Sequence, residues 1–389
     1  MDGTTDLKIV WFSKTFIDIN LDTATYIEMC KELANLGNRI VLVTSYQEHK
    51  NEVIINENFT HLLIRNKMKP LMNSIIYLKV IIKLPLILKN FQPDIITLEW
   101  PIWYISIPLL ILKRLSVRKF KLCMDIRTEP VSARGIQLFV NSLNYKLSLF
   151  LGRYLFDGLT VISPYLKKKL MKKYNIASEK IGVWSSGVDI HHFSNKFNRV
   201  DQNKFVVLYH GVIAVGRGIE NVLLSLKYVI PVVPNIHLIL VGKNDISKVL
   251  NEIILKDNIK DYVTIRERVE YSQIPEILAN CDVGIIPLPD IEWWRPSSPL
   301  KLMEYLSMGK PVILTDIIAH RNVIGNCKCG FFAGKGQPED FAEQIIRTYR
   351  MKDCLKRIGE EGRLIVENNF TWSRQAKEMM DFYNNLKQD

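Results

Sequence analysis

The chain has 389 residues, too many for one ordinary hydrophobic core, so two domains are expected. Hydrophobic residues make up 48% and charged residues 24%, which excludes a disordered chain. The net charge is +12, and the excess lies in residues 1–200, with 28 Lys and Arg against 16 Asp and Glu. This asymmetry predicts an anionic partner for the first half only.

Short apolar runs alternate with helical patterns through the first half. Strands are predicted at LKIVWFS, NRIVLVTS, PDIITLEW, FKLCMDI and FDGLTVIS. Helices are predicted from about Asp22 to Leu36 and at PYLKKKLMKKY, before KIGVWSSGVDI closes the series. The alternation is typical of βαβ units in a parallel sheet.

The same alternation restarts after the polar stretch 195–204. Strands are predicted at FVVLYHGVI, IHLILVG, YVTIRERV and DVGIIPL, and helices at GIENVLLSLKYVI and IPEILANC. We therefore expect an α/β protein with two Rossmann-like domains, over residues 1–195 and 196–370. The segment 371–389 is predicted to be a C-terminal helix whose aromatic residues pack back toward the N-terminal domain.

The stretch RPSSPLKLMEYLSMGKPVI predicts a short helix between a loop and a strand. Ser298 is a favourable N-cap, Pro299 suits the first helical position, and Gly309 ends the helix. A lysine in the first turn opposes the helix dipole unless an anion binds there. We therefore predict an anion site at the amides of Leu300 and Lys301.

Glu304 lies on the same face of this helix, three to four residues after those amides. At the helical rise, this places it ~5–6 Å further along the axis. That span fits a diphosphate at the amides and a ribose at the carboxylate. From spacing alone, a surface glutamate on a capped helix remains an equal alternative.

A second turn of the same kind occurs in YHGVIAVGRGIENVL. Gly211, Gly216 and Gly218 lie between a predicted strand and a helix, where glycines let the backbone approach a diphosphate closely. Arg217 adds a guanidinium that can bind phosphate through two hydrogen bonds. Two such turns in one domain favour a nucleotide site more than either turn alone.

With these motifs, residues 205–375 resemble the donor-binding domain of retaining GT-B glycosyltransferases of the group 1 family, in which two domains face a cleft. Glu304 with YLSMGKPVI matches the second half of the family pattern, a pair of glutamates separated by seven residues. By this resemblance Glu304 binds the ribose of a nucleotide-sugar, and Ser297 and Ser298 help to hold its diphosphate. We also assign Arg268 to the donor side.

The chain departs from the family pattern at two places. Val212 follows Gly211 where the family has arginine, so one of two phosphate cations is missing, while Arg217 stands at the position of the second. Pro296 occupies the position of the first glutamate of the pair. These departures leave open which groups contact the transferred sugar.

The first half contains MDIRTEP, which resembles the acceptor-side segment of the family. Asp125 and Glu129 match that segment, while Met124 stands where the family often has histidine. We assign Glu99, Asp125 and Glu129 to the acceptor side. A structural carboxylate at a strand end is an equal alternative for Asp125.

The resemblance implies catalysis by Asp125, Arg217 and Glu304 without a metal or another cofactor. Helix amides and cations would stabilise the departing diphosphate of a UDP- or GDP-sugar. The pair His191–His192 falls in a hinge segment of the family rather than a metal site. The expected acceptor is lipid-linked or a saccharide; a nucleotide-sugar 2-epimerase or a non-catalytic nucleotide-sugar-binding relative remains the alternative.

The basic region of the first half predicts an anionic membrane surface as a partner, whereas nucleic acid is not expected. The lysines and aromatic residues that suggest it are Lys79, Lys83, Lys89, Trp100, Trp103 and Tyr104. A buried helix with a solvated basic edge is the alternative. No secretory signal is seen, so we expect a cytoplasmic protein that is peripheral at the inner face of the membrane.

Overall fold

A computed structural model describes residues 6–16, 23–46, 53–65, 81, 84–86, 88–115, 119–130, 135–194 and 203–388. The chain divides into two compact units. Unit 1 is Met1–Ser185 with Trp372–Asp389, and unit 2 is Ser186–Thr371.

Unit 1 contains an eight-stranded sheet in the order β3-β4-β2-β1-β5-β6-β7-β8. Its strands are β1 Lys8–Phe16, β2 Arg39–Tyr46, β3 Val53–Asn56, β4 Phe59–Arg65, β5 Ile95–Glu99, β6 Lys121–Ile126, β7 Gly158–Val161 and β8 Ile181–Val183. All pairings are parallel except β3 with β4. Its helices are α1 Thr23–Asn35, α2 Ser106–Leu115, α3 Ile136–Leu155 and α4 Pro164–Tyr174.

Unit 2 contains a wholly parallel sheet in the order β11-β10-β9-β12-β13-β14. Its strands are β9 Phe205–His210, β10 Ile236–Val241, β11 Val263–Arg266, β12 Val283–Ile286, β13 Val312–Thr315 and β14 Gly330–Ala333. Its helices are α5 Ile219–Val229, α6 Ser247–Lys256, α7 Ile274–Ala279, α8 Leu300–Ser307, α9 Ile318–Ile324, α10 Pro338–Arg350 and α11 Leu355–Asn369. Every residue of β9, β12 and β13 is buried, as expected for strands covered on both faces.

Each sheet has one point at which the strand order reverses its direction of growth. In unit 1 this point lies between β1 and β5, and in unit 2 between β9 and β12. Doubly wound sheets bind ligands outside the carboxyl ends of the strands at such a point. The fold therefore predicts ligand sites at the loops that follow β1 and β5 in unit 1 and β9 and β12 in unit 2.

The last helix, α12 Trp372–Gln388, belongs to unit 1, so the expected packing of a C-terminal helix on the N-terminal domain is confirmed. Glycines on two strands make room for it. A Cβ on Gly182 would lie 2.5 Å from the ring of Phe382, and one on Gly158 would lie 2.6 Å from Leu386. The Tyr383 hydroxyl lies 2.7 Å from the Thr97 hydroxyl in the core.

The aromatic residues that were expected at a membrane surface are buried or half-buried in unit 1. Trp100 is buried, with its ring edge-on to Tyr145 of α3 at a centroid distance of 5.0 Å. Trp103 is half-buried and donates from Nε1 to Asn144 Oδ1 at 2.6 Å. The prediction that these tryptophans stand on the surface is wrong, because they pack beneath α3. Lys89 is exposed, and Lys79 and Lys83 lie outside the described residues.

Candidate active site

The loop after β9, residues 211–218, is called the glycine loop and lies at the reversal point of unit 2. Gly211, Gly216 and Gly218 all have positive φ, at 119°, 79° and 76°. A Cβ on Gly218 would lie 2.0 Å from the Pro287 carbonyl oxygen, just after β12, so only glycine fits. The two loops at the reversal point therefore touch through backbone atoms.

The helix α8 begins one residue later than the sequence predicts. Leu300 is its first residue, Pro299 takes the N-cap position, and no side chain caps the helix. Ser298 is not the N-cap; its Oγ accepts from Ser186 N at 3.1 Å, and its carbonyl accepts from Ser186 Oγ at 2.9 Å. The first amides of α8 consequently keep their capacity to bind an anion.

The side chain of Lys301 reaches back over the start of the glycine loop. Its Nζ lies 4.1 Å from the ring centroid of Tyr209 and 2.6 Å from the point where a Cβ on Gly211 would lie. This ammonium nitrogen is buried and has no hydrogen-bond partner within the described residues. Sequence reasoning used only the amide of Lys301. The missing cation at Val212 is the signal that could have drawn attention to the side chain.

Glu304 lies one turn along α8, and its side chain is buried. Its Oε2 is 2.6 Å from His210 Nε2, at the end of β9, and the His210 ring lies edge-on to Tyr305. No hydrogen bond reaches Oε1 from the part of the chain that the structure describes. His210, which the sequence analysis did not assign, thus orients a carboxylate with one oxygen left for a ligand.

Arg217 stands at the edge of this site. Its guanidinium lies 5.1 Å from the ring centroid of Trp294, whose Nε1 donates to the Gly216 carbonyl at 3.1 Å. Ser297 donates from its hydroxyl to the Trp294 carbonyl at 2.6 Å. Trp294 therefore links the loop after β12 to the glycine loop, and the Arg217 guanidinium packs against its ring.

Arg268 is exposed, two residues beyond the end of β11. In the sheet order, β10 separates β11 from β9. Arg268 therefore lies at the same edge of the sheet as the glycine loop, farther from the reversal point. An elongated ligand crossing the carboxyl ends of these strands would reach it.

Several buried polar atoms near the reversal point lack a partner among the described residues: His210 Nδ1, Lys301 Nζ, Thr315 Oγ1 and His320 Nε2. His320 donates from Nδ1 to the Thr315 carbonyl at 2.7 Å, and burial lowers the pKa of the imidazole to about 4. Buried polar groups are normally hydrogen-bonded, so a cluster of unsatisfied ones marks a place where a ligand can supply partners. The cluster contains a cation, the Lys301 ammonium, and an acceptor, His320 Nε2.

The hinge segment holds the paired histidines. The amides of His191 and His192 both donate to Asp189 Oδ1, at 2.8 and 3.2 Å, and the His192 ring stacks on Tyr271. Within the described ranges, no three His, Cys, Asp or Glu side chains come together as metal ligands would.

In unit 1, Glu99 lies at the reversal point between β1 and β5. Its Oε2 accepts from Ser13 Oγ at 2.9 Å and from the Lys14 amide at 2.8 Å. Glu129 instead pairs with Lys169 Nζ at 2.7 Å. The two carboxylates are thus held by different elements, the first by β1 and the second by α4.

Asp125 is fully buried at the end of β6, beside Glu99 in the register of the sheet. Its Oδ1 accepts from Thr160 Oγ1 at 2.6 Å and from Trp184 Nε1 at 3.1 Å. Burial raises its pKa to about 6. The Arg127 guanidinium covers the outer face of Trp184, 3.4 Å from the ring centroid. These contacts fit the structural alternative for this carboxyl.

Two α/β units, each built on a doubly wound and mainly parallel sheet, are the architecture of the GT-B class of glycosyltransferases. A family model described as "Glycosyl transferases group 1" matches residues 192–365, and one described as "Glycosyltransferase Family 4" matches residues 24–192. Together they account for residues 24–365. The chain belongs to the group 1 glycosyltransferases and is an enzyme of that family.

Individual relatives agree with this assignment. The chain is 24% identical over 277 residues to the capsular polysaccharide biosynthesis glycosyltransferase CapM of Staphylococcus aureus, covering 67% of this chain and 68% of that protein. It is 23% identical over 232 residues to an Escherichia coli UDP-Gal:alpha-D-GlcNAc-diphosphoundecaprenol alpha-1,3-galactosyltransferase, covering 56% and 57%. Its fold matches the sucrose-phosphate synthase of Thermosynechococcus elongatus at a TM-score of 0.78 and 15% identity, over 97% and 98% of the chains.

Proposed function

We propose that this enzyme transfers a sugar, with retention of anomeric configuration, from a UDP-sugar to a lipid-linked acceptor in polysaccharide or glycolipid synthesis. The Staphylococcus aureus relative, a capsular polysaccharide glycosyltransferase, supports the pathway class. The Escherichia coli relative, which uses UDP-Gal and a diphosphoundecaprenol-linked sugar, supports the uridine nucleotide and a diphosphate-lipid acceptor. The observation that carries the donor assignment is the buried ammonium of Lys301, which lies over the glycine loop with no hydrogen-bond partner among the described residues.

The donor diphosphate would bind between the start of α8 and the glycine loop. An ammonium buried without a counter-ion is costly, and a diphosphate oxygen would supply the missing charge and hydrogen bonds. Lys301 would thus supply the positive charge that the family's arginine provides at position 212, where this chain has valine. The lysine comes from the helix α8 and not from the glycine loop. The amides of α8 and the Arg217 guanidinium would bind the remaining phosphate oxygens.

The ribose would bind at Glu304. A carboxylate accepts hydrogen bonds from the two neighbouring ribose hydroxyls, and its free Oε1 is available for them. His210 would keep the carboxylate in place through its bond to Oε2. Because His210 acts through Glu304, we consider it a positioning residue.

The chemical step needs stabilisation of the leaving diphosphate more than it needs a strong base. As the glycosidic bond to the diphosphate breaks, negative charge develops on the phosphate oxygens, where Lys301, Arg217 and the helix amides are placed to stabilise it. The acceptor hydroxyl attacks from the same side, and its proton passes to the departing phosphate. Neither a metal nor another cofactor is needed in this proposal, because cationic side chains and amides supply the positive charge.

On the acceptor side, Glu99 is the carboxylate at the reversal point of unit 1, and we propose that it helps to bind the acceptor there. A lipid-linked acceptor requires that the enzyme work at a membrane, which we propose to be the cytoplasmic face. Within the described part of the chain, no helix combines the length and the apolar character needed to cross a bilayer.

The proposal is tested by assaying nucleotide release from a panel of UDP- and GDP-sugars, with and without undecaprenyl-diphosphate-linked sugars. We expect release of UDP that depends on the acceptor, and an α-linked product from an α-linked donor. Sugar isomerisation without an acceptor would show an epimerase and overturn the proposal. Binding without turnover in any acceptor mixture would likewise overturn it.

A further inference from the structure

The helix α3 carries apolar side chains on the face that packs into unit 1 and also on the opposite, exposed face. Its inner face packs into unit 1 through the buried residues Tyr145, Leu149 and Gly152. The residues exposed on its outer face recur every three or four positions, with Phe139 and Val140 adjacent: Ile136, Phe139, Val140, Leu143, Leu147, Phe150 and Tyr154. Ile136 is 84% exposed and Phe139 is 69% exposed, so the described residues leave these side chains uncovered.

This outer stripe is long and continuous. The helix has 20 residues, a length of about 30 Å at the α-helical rise. A surface helix normally turns polar residues outward, and a contiguous apolar patch of this extent marks a binding surface. The preceding helix α2 adds exposed Ile107, Ile111 and Leu115 at spacing of four.

The sequence around the stripe is predominantly basic. Between residues 130 and 178 the sequence holds eight Lys and Arg and a single acid, Asp157. Asp157 is already engaged, by Lys113 Nζ at 2.7 Å and by the Leu122 amide at 2.6 Å. Just outside this range, Glu129 is paired with Lys169, while Glu179 is exposed, so cations outnumber acids on this surface.

The cations adjoin the stripe directly. Lys146 is exposed and stands at helical spacing from Leu143 and Phe150 on α3. Arg153 lies over the Tyr154 ring at 5.0 Å and donates to the Tyr174 carbonyl, which joins the end of α3 to the end of α4. The helix α4 contributes the exposed lysines Lys168, Lys172 and Lys173 and contains no acid.

We propose that the outer face of α3, together with the lysines of α4, docks on an anionic lipid bilayer. Apolar side chains enter the boundary between headgroups and acyl chains, and the lysines bind the lipid phosphates. A second copy of this chain fits less well, because a symmetric dimer through this face would bring like charges together. The inference rests on the proposed function only for its biological purpose, since a lipid-linked acceptor lies in such a bilayer.

The test measures co-sedimentation of the full-length enzyme with vesicles of phosphatidylcholine, with or without phosphatidylglycerol. We expect binding to the anionic vesicles that weakens about tenfold or more as salt rises, because salt screens exposed charges. The double variant Phe139→Glu, Phe150→Glu should lose this binding. The matched control Val249→Glu, Leu255→Glu changes exposed apolar residues on α6 of unit 2 and should bind vesicles as the wild type does.

A second variant tests the charges separately. Lys168→Gln, Lys172→Gln, Lys173→Gln should abolish the preference for phosphatidylglycerol. Circular dichroism and UDP affinity report whether each variant folds, because neither depends on this face. Equal binding by the α3 double variant and the wild type would overturn the proposal.

Other outcomes are equally decisive. A wild-type dimer in lipid-free buffer that the α3 double variant converts to a monomer would assign the face to a second copy. Failure of the enzyme to bind UDP or to turn over any nucleotide-sugar, with intact vesicle binding, would overturn the proposed function and leave the docking surface standing. Loss of vesicle binding in the α6 control would also overturn the assignment to α3.

Discussion

Glu304 and His210 form a buried pair whose hydrogen bond spans two elements, the first turns of α8 and the end of β9. The position of the glutamate is a matter of helical spacing, and the sequence motif shows it. The partner cannot be read from the motif, because it comes from a strand 94 residues earlier in the chain.

Glu304→Gln should weaken UDP binding by ~1–3 kcal/mol, because a neutral amide accepts hydrogen bonds from the ribose hydroxyls more weakly than a charged carboxylate does. Isothermal calorimetry with UDP and with 2′,3′-dideoxy-UDP tests the cause. The wild type should prefer UDP, and the variant should bind both nucleotides almost equally. Glu343→Gln, on the exposed face of α10, is the control. A variant that still prefers UDP would remove Glu304 from the ribose site.

Lys301→Met should lower UDP affinity by about 10- to 100-fold, equivalent to ~1.4–2.8 kcal/mol, because it removes a charge-assisted bond to phosphate. Binding of uridine, which has no phosphate, should be unchanged. The variant should be at least as stable as the wild type, because an ammonium without a counter-ion is lost from the interior. Lys335→Met, at an exposed position, serves as the control, and equal losses for UDP and uridine would refute the phosphate role.

Asp125 gives a prediction about pH. Its pKa is raised from 3.8 to about 6 by burial, so the folded protein retains a proton that the unfolded chain releases. Its contribution to the free energy of unfolding therefore falls as pH rises from about 4 to about 6. Asp125→Asn, which keeps an acceptor oxygen for Thr160 and Trp184, should remove this fall.

The expected gain at pH 7 is up to about 3 kcal/mol over the wild type, with little difference near pH 4. Urea unfolding at the two pH values, followed by tryptophan fluorescence, measures it. The same variant decides the role of Asp125, since a structural carboxyl predicts that turnover survives. A loss of turnover of about a hundredfold or more in a folded variant would favour a catalytic acid or base.

At the scale of elements, periodicity predicted most strands of both sheets, because buried parallel strands are short apolar runs bounded by turns. The helix α3 was not predicted. A helix with apolar residues on both faces has no polar side to reveal its period, so the sequence gives no contrast there. The start of α8 was misplaced by one residue because Ser298, a favourable cap by type, bonds instead to Ser186. Which residue caps a helix thus depends on hydrogen-bond partners that are far away in the sequence, here Ser186.

The docking of α12 depends on the absence of side chains from two strands of unit 1. Gly182→Val should destabilise the protein by ~1–3 kcal/mol, because the added atoms would overlap the Phe382 ring. Phe382→Ala in the same chain should recover part of that loss by making room. Thermal unfolding of the two single variants and the double variant measures this coupling. Strictly additive effects would show that the two residues do not compete for space.

At the scale of the molecule, the proposed donor site uses residues of unit 2 alone. The chain enters and leaves this unit side by side, since the Val188 amide donates to the Phe370 carbonyl at 2.8 Å and Val188 pairs with Thr371. The fragment 186–371 should therefore fold and bind UDP within about threefold of the full-length affinity, because it keeps every proposed donor contact. Calorimetry on the isolated fragment checks this. A folded fragment without affinity for UDP would show that unit 1 supplies essential donor contacts.

The pairing of Val188 with Thr371 also bears on how such enzymes diversify. The backbone enters and leaves unit 2 at adjacent positions. Recombination could therefore replace the whole unit while changing the packing at only two neighbouring junctions. A descendant could then acquire a different activated sugar in one event, while its acceptor recognition and its basic, apolar helix face are inherited unchanged.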